Sequence, residues 1–120
     1  MRHVISSAQF TRPWLFEVFQ LADDIKQRPE HYVNSLQHKV ICTLFYEPST
    51  RTRLSFEAAV QRLGGQIIST ENAREMSSTV KGENLLDTIR VVEGYSDAIV
   101  LRHYEDDAAE RAAKVAQVPI

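Results

Sequence analysis

Two arginines and three hydroxyl side chains follow one another in the run Ser49-Thr50-Arg51-Thr52-Arg53. The planar guanidinium of arginine can grip two oxygens of one phosphate or carboxylate, and serine and threonine hydroxyls can donate to the remaining lone pairs. A helix that begins at this run would add unpaired backbone N–H groups and the positive end of its dipole. The residue types and their spacing therefore predict a binding site for an anion such as phosphate.

An ordinary helix cap is the alternative interpretation of this run. A cap requires only one hydroxyl residue, here Ser49 or Thr50, and the two arginines would then be solvated surface charges. Cationic side chains in a first helical turn oppose the helix dipole, so two of them destabilise the helix unless an anion is bound. This balance favours the anion site.

The run lies between a predicted strand and a predicted helix. Residues 40–46 are apolar, with β-branched and aromatic side chains, which favours a strand, and Pro48 prevents further pairing. After the run, apolar residues recur at helical spacing until Gly64 and Gly65 end the pattern. These apolar residues are Leu54, Phe56, Ala58, Ala59, Val60 and Leu63.

An earlier helix is predicted at the amino-terminal end of the chain. Thr11 can cap it, Pro13 lies near its first turn, and Arg28-Pro29 ends it. We expect its apolar stripe to pack in the core against the sheet. The stripe consists of Trp14, Leu15, Val18, Phe19, Ala22 and Ile25.

The remaining segments also alternate between strand and helix patterns. A second strand is predicted at 66–69, a long polar loop at 70–82, a helix at 83–94 and a continuous apolar strand at 98–101. Asp106 or Asp107 can then cap a last helix, and residues 118–120 have the pattern of a further strand that begins there.

This alternation predicts an α/β fold, with a parallel sheet flanked by helices on both faces. A chain of 120 residues has the length of one small domain. In parallel sheets, ligands bind beyond the carboxyl ends of the strands. Arg102 directly follows the strand at 98–101, so we expect it to converge with the run at 49–53 on one site.

The charge balance and the rare residue types argue against several other functions. Lys and Arg total 14 against 16 Asp and Glu, a net charge of -2, which provides no global basic surface for nucleic acid. The single cysteine, Cys42, falls in an apolar run and is expected to be a buried thiol. His31 and His38 lack the pattern of a metal site. No segment has the signature of a membrane span or a secretion signal, so we expect a cytoplasmic protein.

Residues 45–57, 81–88 and 100–103 together resemble the catalytic chain of the aspartate carbamoyltransferase family. The Ser-Thr-Arg-Thr-Arg run is shared with the ornithine carbamoyltransferases. The segment Lys81-Gly82-Glu83 and the pair Arg102-His103 resemble the aspartate branch, because the ornithine branch typically lacks that lysine. The resemblance spans essentially the whole chain and implies a carbamoyl phosphate-binding domain over residues 1–120.

The resemblance implies a transferase of pyrimidine biosynthesis. This family moves the carbamoyl group of carbamoyl phosphate to the amino group of L-aspartate and releases N-carbamoyl-L-aspartate and phosphate. Arginine, lysine and threonine donors would stabilise the negative charge that develops on the carbonyl oxygen and on the leaving phosphate. The resemblance implies neither a cofactor nor a metal.

The family pattern also implies roles for individual residues. Ser49, Thr50, Arg51 and Thr52 resemble the phosphate-binding residues of the family. Thr52 and Arg102 resemble residues near the carbamoyl carbonyl oxygen. The catalytic residues implied by the resemblance are therefore Arg51, Thr52 and Arg102. The resemblance also implies that carbamoyl phosphate is bound by Ser49, Thr50, Arg51, Thr52 and Arg102.

A second subunit is implied by two residues of the long loop. Ser77 and Lys81 match residues that, in the family, reach into the active site of an adjacent subunit, where the lysine can contact phosphate and aspartate. The resemblance thus implies a homotrimer with shared active sites. It also leaves a regulatory subunit open as a further partner.

Other charged residues near these motifs are interpreted as supporting groups. Arg53 resembles a residue that supports the site through neighbouring carboxylates. Glu57 and Glu83 are expected to pair with Arg53 or Arg51. His103 is expected to make hydrogen bonds beside Arg102 rather than to act as an acid or base.

The chain departs from the family pattern because it ends where the first domain should continue. The downstream residues that contact the carbamoyl group and the aspartate-binding domain are absent, so we expect the fragment alone to be inactive. Two alternatives remain open. One is an ornithine-type carbamoyltransferase, and the other is a non-catalytic module that binds phosphate or associates with complete subunits.

Overall fold

Helices and strands alternate along the part of the chain that the structure describes. The computed structural model describes residues 2–71, 73 and 84–120. Its elements are α1 (Arg12–Gln27), β1 (Val40–Phe45), α2 (Thr50–Arg62), β2 (Gln66–Thr70), α3 (Leu85–Val92), β3 (Ala98–Arg102) and α4 (Ala108–Val115). Short 3-10 turns at Ser7–Gln9 and Pro29–His31 flank α1. In these residues no helix is long and apolar enough to cross a membrane.

The three strands form a parallel sheet in the order β2-β1-β3. In the register of this sheet, Thr43 lies opposite Ser69 on one side and opposite Val100 on the other. β1 is therefore the central strand, and its residues 41–45 are all buried. All three strands run in the same direction, so their carboxyl ends meet at one edge. The predicted α/β fold with a parallel sheet is confirmed.

One face of the sheet is covered by α3 and α4. Alternate residues of β1 point to this face, because successive side chains of a strand lie on opposite sides. Ala108 and Ala112 are fully buried, and these small side chains allow α4 to approach closely. The buried cluster on this face consists of Cys42, Leu44, Tyr46, Ala73, Leu85, Ile89, Ile99, Ala108, Ala112 and Ala116.

The opposite face of the sheet is covered by α2 beside β1 and β2. The residues of α2 that turn toward the sheet are Arg53, Glu57 and Val60, which lie on one stripe at helical spacing. Leu54 and Phe56 are exposed, at 51% and 44%. The apolar pattern thus predicts the helix correctly, but the face toward the sheet is largely polar.

The expected packing of α1 against the sheet is wrong. No residue of α1 is buried, and Phe19 is 58% exposed. Trp14 stacks on Phe10 instead, with 4.6 Å between the ring centroids. The described helices α2, α3 and α4 occupy the two faces of the sheet, and α1 packs against the turn Pro29–His31 that follows it. The cap by Thr11 is confirmed, because its hydroxyl accepts from the N–H of Trp14 at 3.4 Å.

The end of the chain lies along the outer edge of β3. The N–H of Ile99 donates to the carbonyl of Pro119 at 2.9 Å, and the N–H of Val4 donates to the carbonyl of Ile120 at 2.7 Å. Residues 118–120 are not assigned to a strand. The predicted start of a further strand is therefore represented by one backbone hydrogen bond to β3, not by a regular ladder.

Gly64 adopts a backbone conformation that other residues rarely tolerate. Its φ is +81°, and a Cβ at this position would lie 2.3 Å from the carbonyl oxygen of Val33. We expect Gly64→Ala to lower the free energy of unfolding by about 1–3 kcal/mol, as measured by urea denaturation. Gly94→Ala is the control, because the φ of Gly94 is not positive and its Cβ would meet the oxygen of Val91 at 3.2 Å. Equal losses in the two variants would contradict this account.

Candidate functional site

The start of α2 presents its backbone N–H groups at the carboxyl edge of the sheet. Ser49 occupies the N-cap position, and its side chain makes no capping hydrogen bond. The N–H of Arg53 donates to the carbonyl of Ser49 at 2.9 Å, which is the first hydrogen bond of the helix. The amides of residues 50–52 therefore precede the helical ladder. Ser49 therefore occupies the position that the capping alternative predicts. Its hydroxyl makes no capping hydrogen bond and remains available to a ligand.

The two arginines of the run differ in their surroundings. Arg51 is exposed, and among the described residues no carboxylate lies within ion-pair distance of it. The Arg53 side chain is only 22% exposed, and its guanidinium contacts two carboxylates. Nη1 lies 3.4 Å from Glu57 Oε1, and Nη2 lies 3.1 Å from Glu71 Oε2. The charge of Arg51 is thus open to an anion, whereas the charge of Arg53 is already compensated.

The contacts of Arg53 agree with the supporting position expected for it. The expected pairing of Glu57 with Arg53 is confirmed by the ion pair between them. Glu83, for which a similar pairing was expected, lies outside the described residues.

Arg102 lies at the last position of β3, opposite Phe45 in the register of the sheet. Its Nε is 3.4 Å from Glu47 Oε2, and both side chains are more than two-fifths exposed. An ion pair between side chains as exposed as these is weak. A ligand can therefore replace Glu47 as the partner of the Arg102 guanidinium. Glu47 is a residue whose role sequence reasoning missed. The parallel register could have indicated this contact. Phe45 lies opposite Arg102, and Glu47 follows Phe45 by two residues.

Thr52 and Arg102 line the same cavity, which has a volume of about 340 Å³. Phe45 and Phe56 contribute apolar surface to it. Of the run at 49–53, Thr52 is the member that lines this cavity with Arg102, and Ser49, Thr50, Arg51 and Arg53 do not line it. Thr52 and Arg102 are the lining residues of this cavity that have polar side chains.

His103 lies in an adjacent polar cavity of about 410 Å³, together with Glu47 and Arg102. Its ring contacts the ring of Tyr46, with 4.5 Å between the centroids. The backbone N–H of Glu105 donates to His103 Nδ1 at 3.0 Å, which places the ring proton on Nε2. Burial lowers the pKa of His103, although the carboxylate of Glu105 opposes this change. The hydrogen bond that His103 accepts agrees with the hydrogen-bonding position expected for it, and its lowered pKa favours the neutral ring.

Other sequence predictions concern a thiol, two loop residues and metals. Cys42 is buried, and burial raises the pKa of its thiol to about 11, so the expectation of a buried thiol is confirmed. Ser77 and Lys81 lie outside the described residues. Within residues 2–71, 73 and 84–120, no group of three or more His, Cys, Asp or Glu side chains could hold a metal ion.

Comparison with known proteins identifies the domain. Residues 2–120 match the family model for the aspartate/ornithine carbamoyltransferase, carbamoyl-P binding domain. The chain belongs to the aspartate/ornithine carbamoyltransferase family. The carbamoyl-P binding domain of this family accounts for essentially the whole chain.

Aspartate carbamoyltransferases of two different organisms are similar to this carbamoyltransferase domain. Aspartate carbamoyltransferase 3, chloroplastic, of Pisum sativum is 56% identical over 98% of this chain and 30% of the relative. The aspartate carbamoyltransferase catalytic subunit of Clostridium novyi is 50% identical over 99% of this chain and 39% of the relative. The chain thus spans about a third of the length of the relatives it matches.

Solved structures of aspartate transcarbamoylases share the fold of this carbamoyltransferase domain. The catalytic subunit from M. jannaschii superposes with a TM-score of 0.92 at 44% identity, over 99% of this chain and 40% of that chain. The enzyme from Trypanosoma cruzi in complex with carbamoyl phosphate superposes with a TM-score of 0.88 at 40% identity, over 98% of this chain and 38% of that chain. The same enzyme has been solved with aspartate and phosphate.

The neutral state of His103 makes stability depend on pH. Its pKa in the folded state lies below the ordinary value of 6.5, so the unfolded chain binds the proton more readily. The free energy of unfolding should therefore be highest above pH 6.5 and should fall as the pH drops through the lower folded pKa. NMR titration of the His103 ring should give a midpoint below 6.5.

His103→Asn is the control for this pH dependence, because it keeps a hydrogen-bond acceptor and removes the titrating ring. Urea unfolding of this variant should decline less between neutral and mildly acid pH than that of the parent chain. A His103 midpoint at or above 6.5 would contradict the prediction.

Proposed function

We propose that this chain is the carbamoyl phosphate-binding part of an aspartate carbamoyltransferase, which forms N-carbamoyl-L-aspartate and phosphate. The observation that carries the proposal is the meeting of Thr52 and Arg102 in one cavity at the start of α2. It occurs in a domain whose family and relatives bear the name of this activity. The proposed pathway is pyrimidine biosynthesis.

The phosphate group is proposed to bind at the first turn of α2. The backbone amides of residues 50–52 and the hydroxyl of Ser49 provide directed donors, and the exposed guanidinium of Arg51 provides charge. The helix dipole favours an anion at the same place. Support comes from the Trypanosoma cruzi relative, whose structure contains carbamoyl phosphate.

The carbamoyl oxygen is proposed to accept from Thr52 and Arg102. Attack by the amino group of aspartate forms the new C–N bond and places negative charge on this oxygen. Collapse of the tetrahedral intermediate breaks the C–O bond, and the phosphate leaves with the bonding electrons while the amine loses a proton. Donors that are already in position stabilise both charges, and the phosphate is itself the leaving group, so no covalent enzyme intermediate is required.

The binding of aspartate requires residues beyond those described. We propose that Ser77 and Lys81 of an adjacent subunit take part, which makes the assembly a homotrimer with shared sites. The Clostridium novyi and M. jannaschii relatives are called catalytic subunits, and this name supports a separate regulatory subunit as a partner. A cytoplasmic location belongs to the same proposal and rests on the sequence alone.

Aspartate is favoured over ornithine as the acceptor. The family model covers both branches, whereas the relatives and structures described above are aspartate enzymes. Ornithine activity in a protein that contains this domain would reverse the assignment.

Removal of the Arg51 guanidinium should weaken carbamoyl phosphate binding. We expect Arg51→Ala to raise the dissociation constant by about 10- to 100-fold, the effect of one or two charge-assisted hydrogen bonds. Phosphorus NMR titration of carbamoyl phosphate provides the measurement. Arg62→Ala is the matched control, because Arg62 lies in the last turn of the same helix and is also exposed. Equal affinities of the two variants would refute the proposed phosphate site.

Residues 1–120 expressed alone should bind carbamoyl phosphate but should not produce carbamoylaspartate. The chain corresponds to only about a third of its relatives, and its matched region is the carbamoyl-P binding domain. A colorimetric assay for carbamoylaspartate measures turnover, and the same phosphorus titration confirms that the donor binds. Sustained product formation by these residues alone would contradict the prediction.

A further inference from the structure

The contact between α2 and the sheet is unusual because two of its three sheet-facing residues are charged. Val60 is buried beside Gly65, but Arg53 and Glu57 occupy the two preceding positions of the same stripe. Their side chains are 22% and 18% exposed. The half of α2 that carries the anion site is therefore held to the sheet by polar contacts, whereas the far half is held by an apolar one.

Three polar side chains surround one carboxylate oxygen in this contact. Ser69 Oγ donates to Glu57 Oε1 at 2.6 Å, and Arg53 Nη1 lies 3.4 Å from the same oxygen. The single hydroxyl proton of Thr43 has two acceptors within reach, Glu57 Oε1 and Ser69 Oγ, each 2.9 Å from Thr43 Oγ1. Arg53 Nη1 also donates to Ser69 Oγ at 3.0 Å. Thr43 belongs to β1 and is fully buried, and Ser69 belongs to β2. One carboxylate thus ties the helix to two neighbouring strands.

The charges around this contact favour an ionised Glu57. The hydroxyls of Ser69 and Thr43 and the charge of Arg53 lower the pKa of Glu57, although burial opposes them. Arg53 faces the group from α2 itself, and Glu71, after β2, compensates the other side of the same guanidinium. No further charged group of the described residues is recorded in contact with the carboxylate.

We propose that Thr43 and Ser69 are positioning residues for the anion site, acting through Glu57 and Arg53. This inference rests on the proposed function, because it assumes that an anion binds at the first turn of α2. Arg53 lies in that first turn, next to Thr52, and Glu57 lies one turn later. When the two hydroxyls hold Glu57 and Arg53, they fix the direction in which the amides of residues 50–52 point.

A polar contact suits this task better than an apolar one. Hydrogen bonds to a charged oxygen are directional and strong, whereas apolar packing tolerates small rotations of the helix. Loss of one hydroxyl would leave the carboxylate with fewer donors in a partly buried site and would loosen the first turn. Anion affinity should therefore respond to residues that do not touch the anion.

The test compares sulfate binding by variants of the complete chain. Sulfate is the probe because it stays a dianion from neutral pH to below the ordinary pKa of a glutamate, so its own charge does not change while Glu57 takes up a proton. We expect Thr43→Val and Ser69→Ala to weaken sulfate binding by about tenfold at neutral pH, the effect of one charge-assisted hydrogen bond. Both variants should also lose affinity at a higher pH than the parent chain, because Glu57 protonates more easily. Thr43→Ser keeps a hydroxyl and should bind sulfate as the parent chain does.

Val60→Ala is the control for general loosening of α2. It removes apolar packing from the same stripe without touching the hydrogen bonds, so the pH at which sulfate affinity falls should not move. Ser69 is exposed, and its alanine variant carries the test if Thr43→Val fails to fold. Parent-like affinity and pH dependence in Ser69→Ala would overturn the positioning role, whereas a parent chain that does not bind sulfate would overturn the proposed anion site itself.

Discussion

The parallel register of the three strands is the constraint on which the candidate site depends. Because β1 lies between β2 and β3 and all three run in one direction, every strand ends at the same edge of the sheet. The chain leaves β1 into α2 at that edge, and Arg102 ends β3 there. Thr52 and Arg102, about fifty positions apart in the sequence, therefore line one cavity. Short connections after the strands are enough to bring them together.

The three arginines of the site show how a protein keeps some charges for a ligand and compensates others. Arg53 is surrounded by Glu57, Glu71 and Ser69, so it contributes to structure. Arg102 has one weak, exposed partner in Glu47, and Arg51 has none among the described carboxylates. An anion would therefore gain most from Arg51 and Arg102, and the relation of the chain to carbamoyltransferases fits that distribution of charge.

The sequence did not predict which surface of a helix packs against the sheet. The stripe of α1 has the pattern of a core helix, yet Phe19 is exposed, and α1 contacts the turn Pro29–His31 while α2 covers β1 and β2. The apolar residues of α2 predict a helix, but its sheet-facing stripe contains Arg53 and Glu57. A periodic pattern reports that a helix has an apolar side and does not report what that side meets.

The sequence by itself determined the order and type of the elements, because apolar periodicity and the breaks at Pro48 and Gly64 act within a few residues of chain. It also determined the chemistry available to the proposed anion site, since guanidinium and hydroxyl groups can bind an anion wherever the chain places them. Only the tertiary structure decided that Arg51 is open and Arg53 is paired. The two side chains are identical and two positions apart, and the difference arises because the helix turns one of them toward Ser69 of β2 and Glu71, which follows β2, and exposes the other to solvent.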